Sequence, residues 1–162
     1  KAARTYTVLE INVAGSLSSV LATLPGHRLG RYPDYDMMAL PFESGSFDLV
    51  VHSDTLEHVP DPVRGLRECR RVLRRGGACI FTVPVVVGRL TRSRKGLPLS
   101  VHGSEGCQDS SLTVHTEFGA DVWCQVLESG FEECRVVPYR YPAGIAVIAG
   151  LPESAATKGG QR

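Results

Sequence analysis

Several features that would announce a particular chemistry are missing from this chain of 162 residues. Its five cysteines (Cys69, Cys79, Cys107, Cys124 and Cys134) are scattered, with no Cys-x-x-Cys pair. An odd count without metal-ligand spacing argues against a disulfide framework or a zinc knuckle, and reduced thiols in the cytoplasm are the expectation. Long apolar runs are absent too. The longest, around Ala78–Val87, is interrupted by Thr82 and Pro84 and is about half of what a bilayer-spanning helix needs. The strand-like segment starting at Tyr6 has no apolar signal region before it, so no membrane role is expected. Neither sign of charge dominates: eighteen Lys+Arg against seventeen Asp+Glu leave a net charge of +1, which gives no global pull towards nucleic acid or anionic lipid. Aromatic residues are sparse and do not interleave with the arginines, which further argues against a nucleic-acid platform. What is left, 43% hydrophobic and 22% charged, is the composition of one globular domain with a real core.

Strand and helix patterns alternate along the chain. Tyr6–Ile11 is rich in β-branched and aromatic residues and runs into the loop Asn12-Val13-Ala14-Gly15-Ser16. Ser16–Leu24 predicts a short helix, with Leu17, Val20, Leu21 and Leu24 on one face and Pro25-Gly26 as the stop. His27–Tyr32 predicts a weak strand, and Phe47–His52 a stronger one after the turn Glu43–Ser46. Pro62–Arg74 predicts a helix that begins on proline and stops at Gly76-Gly77. Ala78–Val87 predicts a strand buried on both faces. Residues 88–115 carry no period and are rich in Arg, Ser and Gly, as in a lid or binding loop. Phe118–Ser129 predicts another helix, followed by two strands, Phe131–Tyr139 and Ala143–Gly150, too close in sequence to be anything but antiparallel. The domain is expected over 1–150, with a frayed tail at 151–162. These elements imply an α/β, Rossmann-like doubly wound sheet, whose ligands bind beyond the C-terminal strand ends.

Four blocks carry a family resemblance. Leu40-Pro41-Phe42-Glu43-Ser44-Gly45-Ser46-Phe47-Asp48-Leu49-Val50 is followed by Leu56-Glu57-His58-Val59-Pro60-Asp61-Pro62. Next come Glu68-Cys69-Arg70-Arg71-Val72-Leu73-Arg74-Arg75-Gly76-Gly77 and, last, Ser129-Gly130-Phe131. Taken in order, they resemble class I S-adenosylmethionine (SAM)-dependent methyltransferases of the type 11 kind. The resemblance covers residues 6 to 150 and implies a strand order 3-2-1-4-5-7-6 with the last strand antiparallel. The sequence departs from the family in three places. The loop after the first strand has a single glycine, Gly15, where the family has three. Only twenty residues separate Gly15 from Tyr35, where the family fits more structure. Arg75 stands where proline is usual.

The resemblance implies SAM as cofactor and assigns Glu10, Asn12, Ala14 and Gly15 to the loop that approaches it. An acid near the end of the second strand should hold the ribose, and Asp34 is nineteen residues after Gly15. A turn aspartate after Pro33 is an equal reading of it. Asp36-Met37 resembles the family's adenine clamp, and Ser53 and Asp54 should line the methionine end. For an acceptor that needs a base, His58, His115 and Asp54 are the candidates. Asp54-x-x-Glu57-His58 could converge at i, i+3 spacing. A Glu-x-x-Glu-His version binds a divalent metal in some relatives, but with Asp in the first position no metal is expected here. The arginines from Arg64 to Arg75 read as one solvated helix face. Arg89, Arg92, Arg94 and Lys95 could steer a phosphorylated or carboxylated substrate or merely solubilise a loop. The expected activity is methyl transfer to an O, N or C nucleophile of a small polar acceptor. The alternative is a catalytically inactive domain of the same fold acting as a binding module. A nicotinamide-binding domain is excluded, because Asn12–Leu17 does not supply Gly-x-Gly-x-x-Gly.

Overall fold

β1 (Thr7–Ile11) lies between two parallel partners, β2 (Gly26–Gly30) and β3 (Phe47–Ser53), and β3 pairs in parallel with β4 (Leu73–Thr82). The structure, a computed structural model, describes residues 5–102, 110–140 and 144–153. The sheet is completed by β8 (Glu133–Arg140) and β9 (Gly144–Gly150), with β9 antiparallel to both β4 and β8. The resulting order is β2-β1-β3-β4-β9-β8, the class I methyltransferase arrangement expected from the sequence. The edge strand expected outside β2 is not formed: Asp36–Leu40 runs through turns instead. The short spacing noted after Gly15 is the physical reason, since it leaves no residues for a crossover to a further parallel strand.

Side-chain alternation divides the core between the two sheet faces. Leu9, Ile11, Val50, Cys79 and Phe81 point to the face covered by α2 (Pro62–Val72) and α3 (Val122–Glu128). Val8 and Val51 point to the other face, where Leu21 of α1 (Leu17–Leu21) covers them. α2 starts at Asp61, whose carboxylate accepts the Arg64 N–H at 2.9 Å, and Pro62 occupies its first turn, where a missing N–H costs nothing. Gly65, Leu66, Cys69 and Val72 form its buried stripe.

Four boundaries differ from the sequence expectation. α1 spans only Leu17–Leu21, and Gly26 opens β2 instead of ending a helix. α2 stops at Val72, and Gly76-Gly77 lies inside β4. The apolar run Ala78–Val87 is divided, because β4 ends at Thr82 and Val85–Val86 forms β5 in a second sheet. Pro84 cannot donate to a ladder, so the strand breaks there. Residues 88–115 are partly ordered: β6 (Arg92–Ser93) pairs antiparallel with β7 (Thr116–Gly119), and β5 pairs with β7 in parallel. Phe118 therefore belongs to a strand, and α3 begins later, at Val122. The tail expected at 151–162 lies mostly outside the described residues.

The arginines from Arg64 to Arg75, expected as one solvated helix face, are not merely solvated, and Arg74 and Arg75 belong to β4. Arg64 Nε donates to Met38 O at 3.1 Å, Arg70 Nε to Gly130 O at 2.7 Å, and Arg74 Nη1 to Asp48 Oδ2 at 2.9 Å. Arg71 donates to both Phe42 O (2.6 Å) and Leu40 O (2.9 Å), while Glu68 Oε2 accepts the Leu40 N–H at 2.9 Å. These arms pin the Leu40-Pro41-Phe42 segment to the helix. Burial opposes an ionised Glu68, but the Arg71 hydrogen bonds are stronger and hold its carboxyl below the ordinary range.

Candidate active site

A cavity of about 390 Å³ opens at the C-terminal ends of β1 and β3, the place where doubly wound sheets bind ligands. Ile11, Asn12 and Val13 form one wall, Tyr35–Met38 a second, Ser53–Thr55 a third, and His58, Ser111, Leu112 and His115 close it. Of the residues singled out in the sequence, Asn12, Asp36, Met37, Ser53, Asp54, His58 and His115 come together here. Glu10, Ala14, Gly15 and Asp34 are not among the walls.

The loop after β1 turns sharply without the glycines of its relatives. Asn12 takes φ 57° and Gly15 φ 56°, both left-handed; asparagine tolerates this region better than most residues. Asn12 is held on both sides: its N–H donates to Gly30 O at 2.7 Å, and its Oδ1 accepts the Tyr32 N–H at 3.1 Å. Glu10 holds the loop from beneath. It is fully buried; Oε1 accepts the Ala14 N–H at 2.8 Å, and His27 Nε2 lies 2.7 Å from Oε2. Burial alone would raise this carboxyl, but the hydrogen bonds from Ala14, Ser18 and His27 outweigh it and leave the group below its usual value. Glu10 thus shapes the cavity without lining it.

On the second wall, Asp36 Oδ1 accepts the Met38 N–H at 2.8 Å. Its Oδ2 makes no hydrogen bond among the described residues. On the third, Asp54 has φ 44° and its N–H donates to Thr82 O at 3.0 Å. Ser53 Oγ donates to Asp54 Oδ2 at 3.0 Å. This non-glycine left-handed residue sits where β3 leaves the sheet, the kind of site where backbone strain accompanies function.

His58 Nδ1 is 3.0 Å from Thr113 O. A carbonyl only accepts, so Nδ1 carries the proton and Nε2 keeps its lone pair. Burial holds the imidazole below its ordinary pKa, so this base is neutral near pH 7. Behind it lies Glu57, 1% exposed, with neither carboxylate oxygen hydrogen-bonded among the described residues. Glu57 Oε1 is 3.7 Å from His58 Nε2 and 3.7 Å from His102 Nδ1. Burial pushes the Glu57 carboxyl up to about 7, and the Asp54 charge adds to that effect. The expected convergence of Asp54, Glu57 and His58 is therefore replaced by Glu57, His58 and His102, whose candidate ligand atoms all lie within 4.8 Å of one another. Such a set could hold a divalent cation. A second group with the same spacing, His52, Cys69 and Cys79, is buried in the core. Sequence reasoning named Glu57 only as part of the Asp54-x-x-Glu57-His58 constellation, and nothing in the local sequence marks its burial.

A doubly wound parallel sheet with an antiparallel final strand, carrying its cavity beyond the C-terminal strand ends, defines the nucleotide-cofactor class of α/β folds. Comparison with known proteins narrows this. The family model described as "Methyltransferase domain" matches residues 3–81. A sarcosine/dimethylglycine N-methyltransferase of Halorhodospira halochloris is 52% identical over 46 residues, 28% of this chain and 16% of that protein. A SAM-dependent methyltransferase of Thermotoga maritima, described as a possible histamine N-methyltransferase, superposes with TM-score 0.58 at 18% identity, covering 94% of this chain and 84% of its own. The [4+2]-cyclase SpnF superposes with TM-score 0.61 at 14% identity, covering 94% and 77% respectively. The chain has the fold of class I SAM-dependent methyltransferases. The stretch matched in the curated N-methyltransferase is under a fifth of that relative's length.

Proposed function

We propose that this chain binds SAM in the cavity beyond β1 and β3 and transfers its methyl group to an O, N or C nucleophile of a small polar acceptor. The observation that carries the reading is the convergence of Asn12, Asp36, Met37, Ser53, Asp54 and His58 on one cavity of about 390 Å³. The wall chemistry suits the cofactor. Asp36 has a carboxylate oxygen without a hydrogen bond among the described residues, which would take an exocyclic amine, and the neighbouring Met37 N–H would meet a ring nitrogen. Asn12 and the loop pinned by Glu10 carry the backbone past the methionine end.

Bound there, SAM would supply a sulfonium methyl already activated for in-line displacement. The remaining tasks fall to the protein. Alignment of donor and nucleophile is the larger one, worth up to about 7–11 kcal/mol in favourable cases. Proton removal is the smaller one, and the lone pair on His58 Nε2 is the first candidate, with His115 and Asp54 as further groups on the same walls.

Isothermal titration with SAM and with S-adenosylhomocysteine tests this. Saturable micromolar binding is expected, weakened about tenfold in Asp36→Ala (roughly 1.4 kcal/mol). Absence of binding by folded protein overturns the reading and leaves a non-catalytic domain of this fold.

A further inference from the structure

Glu117 is the centre of an unusual charge arrangement beside the cavity. Arg92 Nε donates to its Oε2 at 2.8 Å, and Arg89 and Arg94 each form an ion pair with the same carboxylate. Three guanidiniums thus share one acid. The Arg92 hydrogen bond acts most strongly; burial opposes it, and the Arg94 and Arg89 contacts add to it, so that together the arginines hold Glu117 down at about 2. The carboxylate is therefore ionised at any working pH and still neutralises only one of the three cations. In the same segments Lys95 adds a charge and Asp121 removes one, since its Oδ1 accepts the Thr91 N–H at 2.6 Å. Among the described residues of these segments, four cations face two carboxylates, and two positive charges remain uncompensated.

The cluster stands next to the reacting end of the cavity. His115 lines the cavity, and its carbonyl accepts the Arg94 N–H at 2.9 Å. Thr116 and Phe118 are buried, so the pleat of β7 turns Glu117 to the same side as His115, about 7 Å further along. Arg92 remains half exposed and, among the described residues, gives only its Nε to a partner, so the outer edge of its guanidinium faces water. Arg89 Nε and Arg94 Nε have no hydrogen-bond partner among the described residues, a further sign that the cluster holds more donor capacity than Glu117 can accept.

From this arrangement we propose that the Arg89–Arg92–Arg94 cluster on Glu117 is the subsite for a phosphate monoester carried by the methyl acceptor. This rests on the methyltransferase reading above and adds the acceptor's class. A phosphate monoester near neutral pH carries between one and a half and two negative charges, which matches the uncompensated charge better than a carboxylate does. Planar guanidiniums engage its oxygens in pairs. Held there, a small acceptor would extend its nucleophile past His115 into the cavity.

The test is a titration of the whole chain with inorganic phosphate at fixed ionic strength, following the arginine Nε–H and backbone amide signals by NMR. Acetate and chloride serve as control anions, and S-adenosylhomocysteine is titrated into the same samples by calorimetry. Saturable shifts at Arg89, Arg92 and Arg94 with phosphate are expected, at least tenfold weaker with acetate and at least tenfold weaker in Arg92→Ala. Arg92→Lys should recover only part of the affinity, because the paired geometry is lost. Equal responses to phosphate and chloride, no saturation, or an unchanged affinity in Arg92→Ala would overturn the subsite. Binding of an oligonucleotide without terminal phosphates more tightly than inorganic phosphate would overturn the small-monoester assignment. Loss of S-adenosylhomocysteine binding with phosphate binding intact would sink the cofactor reading alone.

Discussion

His52 is a polar residue where an apolar one would serve. It is 1% exposed, stacks on Phe81 at 4.8 Å between ring centroids, and leaves both ring nitrogens without a hydrogen-bond partner among the described residues. Burial drives its pKa from 6.5 down to about 3. Between those values the unfolded chain takes up a proton that the native one refuses, so native stability falls as pH falls, by about 1.4 kcal/mol per pH unit at most. Glu57 has the opposite sign. Its pKa rises from 4.5 to about 7, so over that window the native chain keeps a proton that the unfolded one releases, and stability falls as pH rises. Where the windows overlap, the two slopes oppose each other. Urea unfolding of His52→Leu and Glu57→Gln at pH 5 and pH 6.5 separates them. His52→Leu should be more stable than wild type by about 1–3 kcal/mol at pH 6.5, since no orphaned donor remains buried, and should lose stability as pH rises. Glu57→Gln should gain stability as pH rises.

Among the elements, α2 serves both the core and the cavity. Its buried stripe packs the sheet, while Arg71 and Glu68 reach across to the backbone of Leu40 and Phe42, just after the cavity residues Asp36–Met38. Arg71→Ala removes two hydrogen bonds to those carbonyls and the ion pair with Glu68. Its half-exposed position limits the loss of stability to about 1–2 kcal/mol. S-adenosylhomocysteine affinity should fall severalfold as well, which calorimetry on the folded variant would detect; an unchanged affinity would dissociate the clamp from the cavity. The Pro62 start of α2 and the strand character of β1 and β3 were legible in the sequence, because each depends on neighbours close along the chain. The targets of the α2 arginines were not, since the partners lie in other segments and a run of arginines at helical spacing looks the same whether it meets water or carbonyls. Similarly, the split at Pro84 was visible as a proline, but only the pairing of β5 with β7 decides that the apolar run serves two sheets. Asn12, Asp36 and Asp54 line the cavity, at the strand ends and at the spacing before Leu40-Pro41-Phe42 where the sequence reading had placed candidates. Glu57's isolation is tertiary: nothing in Leu56-Glu57-His58-Val59 records that, among the described residues, two imidazoles and no Lys or Arg stand beside it.

For the molecule as a whole, the central sheet ends on very different edges. β8 is exposed along most of its length, with Val136, Val137 and Tyr139 open to water, and Pro138 and the flanking arginines Arg135 and Arg140 interrupt it as a template for strand addition. Replacing Pro138 by Val is expected to restore a donor to that edge and promote self-association, which sedimentation of the variant against wild type would show. On the opposite side of β4 from β3, β9 is tied in on both flanks. The small sheet is attached differently: Val83 and Pro84 are all that lie between β4 and β5. A lid on a long tether can settle over guests of many lengths. A wall riveted to the floor by two residues works as a caliper instead, with jaws set by the backbone. If amide exchange in β7 is as slow as in β4, the gap between His58 and the arginines is a set opening, and acceptors should be sorted by their span before any difference in their chemistry is felt.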